Sequence, residues 1–237
     1  FVFAALVFDR KLLNLDALEQ ALLAFVLFCF LASSVYIIND VLDLESDRNH
    51  PLKKNRPIAS GKLPVSIALV VSFILLGIAL AGAFFLSKGL LVICLIYFLL
   101  NLSYSKWLKH FPIIDVLVIA ACFVLRVAAG VSVIEVQRFS PWLYVVTTLL
   151  ALYIGFGKRR AEMSALVSDT PSAHRKVLSG YSIEYIDQMI TVVSATTIIA
   201  YSLYTFSAPN LPENHAMMLT IPFVLYGIFR YLYLIKM

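Results

Sequence analysis

Apolar segments of about 20 residues recur along the whole chain and constrain its fold more than any other feature. A helix of this length crosses the roughly 30 Å hydrocarbon core of a bilayer. Inside hydrocarbon the backbone polar groups must be paired within the segment, which favours helices. The sequence therefore predicts an all-α, polytopic transmembrane helical bundle. The apolar runs are residues 17–38, 65–87, 89–105, 113–134, 141–156, 183–207 and 216–235.

The two ends of the sequence are apolar and have no polar tails. Residues 1–8 are too short to span a bilayer and carry neither the basic segment nor the cleavage site of a signal peptide. We expect them to be the end of a truncated helix. The prediction is therefore a bundle of eight or nine spans with one truncated at each end. No linker-like segment divides residues 1–237, so we assign them to a single domain that is incomplete at both termini.

Positive charge is concentrated in three segments between the apolar runs. Residues 39–64, 105–112 and 157–182 hold 12 of the 19 Lys and Arg residues, and the formal net charge is +5. Basic loops mark the cytoplasmic side of a membrane protein. The sequence therefore predicts a multi-pass protein of the bacterial inner membrane, surrounded by membrane lipids, with its charged loops facing the cytoplasm. Because the charge follows topology, it does not indicate a nucleic-acid partner.

An acidic stripe is predicted in NDVLDLESD, at the end of the first apolar run. Asn39, Asp43 and Asp47 are spaced by four residues and Asp40 precedes Asp43 by three, so a continuing helix places them on one face. Carboxylates on one face repel each other unless a cation lies between them. Their oxygens suit Mg²⁺, which binds carboxylates together with substrate phosphates. The stripe predicts a magnesium diphosphate site. The alternative is a solvated helix end with no function. We disfavour it because anions interact poorly with a helix C-terminus.

Basic residues follow the acidic stripe directly. They can bind the outer oxygens of a diphosphate, and an Arg can do so with two parallel hydrogen bonds. The positive-inside rule alone also predicts basic residues at this place. We favour a substrate contact for Arg56 in particular, because Pro57 fixes the backbone that follows it. The candidate substrate-binding residues of this segment are Arg48, Lys53, Lys54 and Arg56.

The pattern N-D-x-x-D-x-x-x-D at a helix end, followed by RPIASG at residues 56–61, resembles the UbiA superfamily of intramembrane prenyltransferases. The resemblance covers nearly the whole chain. It implies an all-helical bundle, typically of nine spans, that binds a diphosphate substrate through Mg²⁺ above a cavity open to lipid. It also implies that Asn39, Asp40, Asp43 and Asp47 hold the metal, with the three aspartates as the catalytic residues.

Two later segments, Tyr104–Gly130 and Gly155–Ser182, resemble a more specific branch, the polyprenyl-phosphate phosphoribosyltransferases. This resemblance implies phosphoribosyl diphosphate (PRPP) as the donor and a polyprenyl phosphate of the decaprenyl type as the acceptor. It further implies release of diphosphate and a role in making precursors of cell-wall arabinan or a related glycan.

One departure from the broader superfamily supports this branch. Its ordinary members carry a second aspartate-rich motif in a later cytoplasmic loop. Here that loop offers only Glu162 and Asp169 as acids against five basic residues. A loop with net positive charge suits direct binding of phosphate oxygens better than binding of a second metal ion.

Further candidates lie outside the acidic stripe. Arg126 is in the middle of an apolar span, where an ionisable side chain costs at least about 2.5 kcal/mol on insertion scales and by default has a partner. It could bind the lipid phosphate or a carboxylate such as Asp115, or form a structural ion pair, and the sequence leaves these open. For Lys109 the alternative is snorkelling, and for residues 158–162 a helix-surface salt bridge. The additional candidate substrate-binding residues are Tyr104, Lys109, Asp115, Arg126, Lys158, Arg159, Glu162 and Arg175.

These predictions combine into Mg²⁺-dependent transfer of 5-phosphoribose from PRPP to a polyprenyl phosphate at the cytoplasmic membrane face. The second hypothesis is an ordinary prenyltransferase acting on an aromatic acceptor, which would need a second acidic cluster that this sequence lacks. A cation transporter would need acids deep in the spans, whereas the main intramembrane charge is Arg126. The sequence leaves the oligomeric state open, and a homo-oligomer is one of the alternatives.

Overall fold

The computed structural model describes residues 1–50, 53–134, 141–166, 180–208, 211 and 214–236, with only the backbone given for residues 165 and 166. The described residues form nine α-helices and no β-strand, which confirms the predicted all-α class. The helices are α1 (Ala4–Phe8), α2 (Leu15–Leu42), α3 (Leu44–Arg48), α4 (Val65–Leu86), α5 (Lys88–Lys106), α6 (Ile114–Val131), α7 (Pro141–Leu166), α8 (Ile183–Ser207) and α9 (Ile221–Lys236).

Six helical segments in the described part of the chain are long and apolar enough to cross a membrane. They are α2, α4, α5, α6, α8 and Ala216–Lys236, in which a 3₁₀ turn precedes α9. The predicted run 141–156 is the first part of α7, which continues into charged residues and is not among the six. Large apolar side chains such as Phe73 and Phe85 lie exposed on these helices, as expected for surfaces that face lipid. The predicted multi-pass fold is confirmed, and the total of eight or nine spans stays a prediction.

The chain divides into two compact units. The first comprises Phe1–Lys109 and Leu125–Glu135, and the second comprises His110–Val124 and Val136–Met237. Helix α6 therefore contributes its beginning to the second unit and its end to the first. The assignment of the whole chain to one domain stays a prediction.

In the first unit, α2 packs against α4 and α5. Ser34 on α2 and Ser72 on α4 are fully buried, with their Oγ atoms 2.9 Å apart, and the Ser72 hydroxyl also lies 3.1 Å from the carbonyl oxygen of Ser34. Small polar residues let membrane helices approach closely and hydrogen-bond to one another. Phe28 on α2 meets Tyr97 on α5 edge-on, with ring centroids 4.8 Å apart. These contacts fix the end of α2 that carries the acidic residues.

In the second unit, α7 packs against α8 and α9. Tyr153 and Phe156 on α7 are part of a buried apolar cluster that also contains Ile186 on α8 and Ile228 on α9. The Tyr153 hydroxyl donates to the carbonyl oxygen of Ile228 at 2.7 Å, which satisfies a polar group inside this cluster. The packing fixes the helix whose last turns carry the charged residues 158–162.

Gly155 permits a close approach between α7 and α6. A Cβ atom at this position would lie 2.7 Å from Cγ1 of Val116, a residue that is fully buried. Any side chain at position 155 therefore requires the two helices to move apart or Val116 to shift. The absence of a side chain at Gly155 sets the position of the charged end of α7 within the second unit.

We expect Gly155→Ala to lower the free energy of unfolding by about 1–3 kcal/mol, the usual effect of overpacking. Gly77→Ala in α4 is the matched control, because a Cβ atom there meets nothing within 4 Å and alanine favours helix by up to about 1 kcal/mol. Thermal unfolding in detergent would compare the two variants. Equal stability of both variants would contradict this account of Gly155.

Candidate active site

The acidic stripe lies where α2 gives way to α3. Asn39 and Asp40 are in the last turn of α2, Asp43 lies between the helices and Asp47 is in α3. Helical hydrogen bonds continue across the break, from the Asp43 amide to the Asn39 carbonyl at 2.9 Å and from the Asp47 amide to the Asp43 carbonyl at 2.8 Å. The backbone therefore keeps nearly helical spacing although Asp43 itself leaves the α-helical geometry, with φ −92° and ψ 6°.

Arg56 joins two carboxylates of the acidic stripe. Its Nη1 atom donates to Oδ1 of Asp40 at 2.7 Å and to Oδ2 of Asp47 at 2.8 Å. The Asp47 side chain is only 3% exposed, so its charge is largely shielded from water. One guanidinium nitrogen thus lies between two carboxylates that are seven residues apart in sequence, and it offsets the repulsion between them.

The RPIASG segment is a compact turn that presents Arg56 to the acidic stripe. The Arg56 amide donates to the carbonyl of Lys53 at 2.9 Å, and the Ser60 amide donates to the carbonyl of Arg56 at 2.8 Å. Ile58 is buried beneath the turn. The turn closes at Gly61, whose φ of +77° is a conformation that side chains disfavour. The motif therefore has a structural basis in the placement of one guanidinium group.

Lys109 supplies a second cation to the acidic stripe. Its Nζ atom lies 2.5 Å from Oδ1 of Asp43, and both side chains are mostly shielded from solvent. Lys53 is more distant, with its Nζ atom 3.9 Å from Oδ1 of Asp47. The three aspartates of the acidic stripe therefore each have a basic partner within the first unit.

The donor set of the acidic stripe fits a hard cation. Carboxylate and amide oxygens from Asn39 and the three aspartates are the ligand types that Mg²⁺ takes. The Arg56 guanidinium lies between Asp40 and Asp47 and supplies positive charge where a metal ion would do so. Among the described residues, however, no group of three or more His, Cys, Asp or Glu side chains is gathered closely enough to hold a metal ion. The acidic stripe is thus arranged around protein cations in this structure.

Other predicted residues of the first unit are not gathered on the acidic stripe. Arg48 pairs with the exposed Glu45 at 3.1 Å, and Lys54 is exposed. Tyr104 is half-buried on α5, at the helix end that leads to Lys109. Arg175 lies outside the described residues.

An open apolar groove adjoins the acidic stripe along α2 and α5. It is a shallow, open depression that begins one residue before Asn39. Its lining residues are Val35, Ile38, Phe98, Asn101, Leu102 and Ser105. The end of α2 thus presents an apolar surface and a charged one in direct succession.

A buried ion pair lies at the charged end of α7. Asp115 is completely buried and Arg159 is 1% exposed, and the Arg159 Nε atom donates to Oδ2 of Asp115 at 2.6 Å. Nη1 of Arg159 donates to Oε2 of Glu162 at 2.6 Å. Lys158, the neighbour of Arg159, is exposed. Arg159, Asp115 and Glu162 are therefore brought together, whereas Lys158 is not.

Tyr181 completes the buried pair and is a residue that the sequence reasoning missed. Its hydroxyl donates to Oδ1 of Asp115 at 2.7 Å and accepts from the amide of Ile113 at 2.5 Å. Ile113 has φ +69°, an unusual conformation for a β-branched residue. Burial raises the pKa of Tyr181 above its ordinary value, so the side chain remains an O–H donor at neutral pH. The only sequence signal was its position just before Ser182, which caps α8.

Arg126 finds an aromatic partner. Its Nη2 atom donates to the Tyr97 hydroxyl at 2.9 Å, and its guanidinium lies 5.6 Å from the centroid of the same ring. The carboxylate expected as one possible partner, Asp115, is instead paired with Arg159. A guanidinium attracted by a ring face is stabilised where water is scarce, which explains how α6 carries a cation at this position.

We expect Arg159→Met to lower the free energy of unfolding by about 3–5 kcal/mol, because it leaves a buried carboxylate without its cation. Lys158→Met, the adjacent exposed position, should change it by at most about 0.5 kcal/mol. The double variant Asp115→Asn/Arg159→Met should recover part of the loss. Chemical denaturation in detergent would measure all three, and equal losses for Arg159→Met and Lys158→Met would contradict a structural role.

The chain was compared with known proteins. The model of the UbiA prenyltransferase family matches residues 2–237. A decaprenyl-phosphate phosphoribosyltransferase of Mycobacterium tuberculosis is 32% identical over 91% of this chain and 70% of its own length. The enzyme of the same name from Corynebacterium glutamicum is 35% identical over 81% of this chain, which spans 58% of that relative.

The fold has a close counterpart among solved structures. A UbiA homolog from Archaeoglobus fulgidus, solved with DMAPP and Mg²⁺, superposes with a TM-score of 0.79 over 97% of this chain and 81% of that one, at 21% identity. At this identity the likeness concerns the fold alone. Since the family model matches almost every residue, and a relative 32% identical is covered over 70% of its length, the chain belongs to the UbiA prenyltransferase family.

Proposed function

We propose that this protein transfers 5-phosphoribose from PRPP to a polyprenyl phosphate of the decaprenyl type, at the cytoplasmic face of the membrane, and releases diphosphate. The names of the relatives from M. tuberculosis and C. glutamicum, at 32% and 35% identity, support this activity. The product would be a precursor of cell-wall arabinan or a related glycan. The cytoplasmic orientation rests on the concentration of Lys and Arg in the loops that carry the candidate site.

The observation that carries the proposal is the contrast between two groups of acidic residues. In the acidic stripe, three aspartates meet Arg56 and Lys109, and the side chains of Asp40 and Arg56 are 30% and 38% exposed, an arrangement suited to a diphosphate and its metal ion. At the charged end of α7, Asp115 and Glu162 both bind the buried Arg159, and Asp187 of α8 binds the neighbouring Arg160. Unlike Arg56, whose side chain is 38% exposed, Arg159 has a side chain that is 2% exposed and has no open side toward an anion. The acids that it holds are therefore poor candidates for a second metal site, which a prenyl diphosphate donor would require in the ordinary members of the superfamily.

The acidic stripe would hold the donor through its diphosphate. Asn39, Asp40, Asp43 and Asp47 would bind Mg²⁺, which when bound offsets the negative charge of the leaving diphosphate. Arg56 and Lys109 are close enough to these aspartates to bind outer phosphate oxygens, and Arg56 can do so with two hydrogen bonds. Lys53 and Lys54 extend the positive surface on the same turn.

The transfer itself would be a substitution at C1 of the ribose. The bond from C1 to the diphosphate oxygen breaks, and its electron pair leaves with the diphosphate. A non-bridging oxygen of the polyprenyl phosphate forms the new bond to C1 from the opposite face, with inversion. A phosphate monoester dianion is nucleophilic without a general base, so the protein contributes mainly positioning and charge stabilisation.

The acceptor would approach from the lipid. Its isoprenoid chain needs an apolar surface and its phosphate needs cations. The end of α2 offers the two in succession, first the open apolar surface shared with α5 and then the acidic stripe with its cations. Arg126 and Arg175 remain candidates for the acceptor phosphate. A homo-oligomer is one form that the protein could take in the membrane.

Product formation by purified protein in lipid nanodiscs tests the proposal. With radiolabelled PRPP, decaprenyl phosphate and Mg²⁺, we expect a labelled lipid that is absent with EDTA. Asp43→Asn should lower the rate by roughly 10²–10³-fold, as for loss of a group that stabilises transition-state charge. Glu45→Gln is the control, because Glu45 is exposed, lies off the acidic stripe and pairs only with Arg48 among the contacts of the described chain.

A different pair of substrates provides the opposing outcome. Absence of labelled lipid, together with turnover of a prenyl diphosphate on an aromatic acid, would overturn the phosphoribosyl proposal in favour of ordinary prenyl transfer. The two assays use the same preparation, so an inactive protein is distinguished from a wrong donor.

Lys109 should be required for donor binding. Lys109→Met removes the cation at Asp43, and we expect the KM for PRPP to rise about ten- to a hundredfold, which corresponds to about 1.5–3 kcal/mol for a hydrogen bond between charged groups. Lys106→Met is the control, since Lys106 is exposed and lies over the Trp107 ring. Steady-state kinetics would measure both, and an equal effect of the two substitutions would contradict the role given to Lys109.

A further inference from the structure

Arg56 occupies the place between Asp40 and Asp47 through a single nitrogen atom. The two distances, 2.7 and 2.8 Å, are those of charge-assisted hydrogen bonds. Asp47 is almost inaccessible to solvent, whereas the Arg56 side chain is 38% exposed. Asp40, at 30% exposed, is nearly as accessible as Arg56, so Asp47 is the buried partner of the bridge and the guanidinium has an open side.

We propose that Arg56 is a resident counter-cation that competes with the metal ion for Asp40 and Asp47 and is released when the donor binds. This inference rests on the proposed function for the identity of the donor. In the ligand-free protein the guanidinium offsets part of the negative charge of the two carboxylates and occupies one oxygen of each, so a divalent metal ion binds weakly. In the complex, Arg56 binds the donor diphosphate, and the carboxylates become available to the metal.

The physical basis is that Arg56 and the two carboxylates can exchange partners without leaving any of these charges unpaired. Two close carboxylates need a cation between them, and Arg56 or a divalent ion can meet that need, but both together would place positive charges in contact. A diphosphate offers the guanidinium a second anion of matching geometry. Donor and metal ion then both favour the same arrangement, in which Arg56 binds the diphosphate and the two carboxylates bind the metal ion. Such coupling is reciprocal, because each ligand changes the affinity of the other by the same factor.

Arg56 is the basic residue of the acidic stripe that is suited to this exchange. Lys109 contacts Asp43, and Lys53 lies 3.9 Å from Asp47. Neither of these two contacts joins two carboxylates. Arg56 also lies at the start of the turn closed by Gly61, so its side chain can change partner while the backbone turn stays in place.

Metal binding without substrate tests the inference directly. Purified protein in phosphatidylcholine nanodiscs would be titrated with Mn²⁺ alone, and free Mn²⁺ would be measured by electron paramagnetic resonance. We expect Arg56→Met to bind Mn²⁺ at least about tenfold more tightly than the wild type, which corresponds to about 1.4 kcal/mol. Lys62→Met, an exposed basic residue of the same segment, carries the same charge change and should leave the affinity unchanged.

A second substitution keeps the test decisive if Arg56→Met fails to fold. Arg56→Lys retains the charge but not the planar donor group that bridges two carboxylates, so its Mn²⁺ affinity should lie between those of the wild type and Arg56→Met. Monodispersity and the thermal midpoint would establish that each variant is folded.

The outcomes separate this inference from the proposed function. Equal or weaker Mn²⁺ binding by folded Arg56→Met and Arg56→Lys would overturn the competition, even if wild-type protein forms the labelled lipid. Tighter binding, by contrast, would support the competition even if PRPP proved to be the wrong donor. Where PRPP is the donor, Arg56→Met should also raise its KM while lowering the Mg²⁺ concentration needed for half-maximal activity.

Discussion

Charge placed beside hydrocarbon has to be paired, and this constraint accounts for most of the polar architecture of the chain. In the first unit, Arg56 and Lys109 neutralise the acidic stripe at the end of a membrane-spanning helix. In the second, Arg159 is buried with Asp115, and Tyr181 occupies the remaining carboxylate oxygen. The cost of removing these charges from water is offset only because each has a hydrogen-bonded partner. The helices supply apolar surface, and the ion pairs determine how their charged ends are held.

The sequence predicted what depends on local spacing. Asn39, Asp40, Asp43 and Asp47 lie within nine residues of a helix and its continuation, so their proximity follows from helical periodicity even across the break at Asp43. The apolar runs likewise predicted the spanning helices, because length and composition suffice for that. Helix ends were less predictable: α2 continues to Leu42 and α7 to Leu166, both beyond the predicted apolar runs.

What the sequence could not predict depends on packing between distant segments. Asp115 and Arg159 are 44 residues apart, and the pairing of Arg159 rather than Arg126 with this carboxylate is decided by how α7 packs on α6, including the bare backbone at Gly155. Tyr181 gave no chemical signal because a tyrosine in a loop has many roles. Arg56 was predicted to bind phosphate from its basic charge and from Pro57, and this stays a prediction; its contact with two aspartates required the turn that Gly61 closes.

Internal neutralisation of the acidic stripe also affects how an anionic substrate would reach it. Three carboxylates with no cations would repel such a molecule before contact. With Arg56 and Lys109 in place, most of this negative charge is offset, and the exposed Lys54 and Lys62 add positive charge on the same loop. Charges of this kind raise the local concentration of oppositely charged solutes and speed their encounter with the protein. At physiological ionic strength this attraction extends over roughly 8 Å, so capture would begin only near the membrane surface.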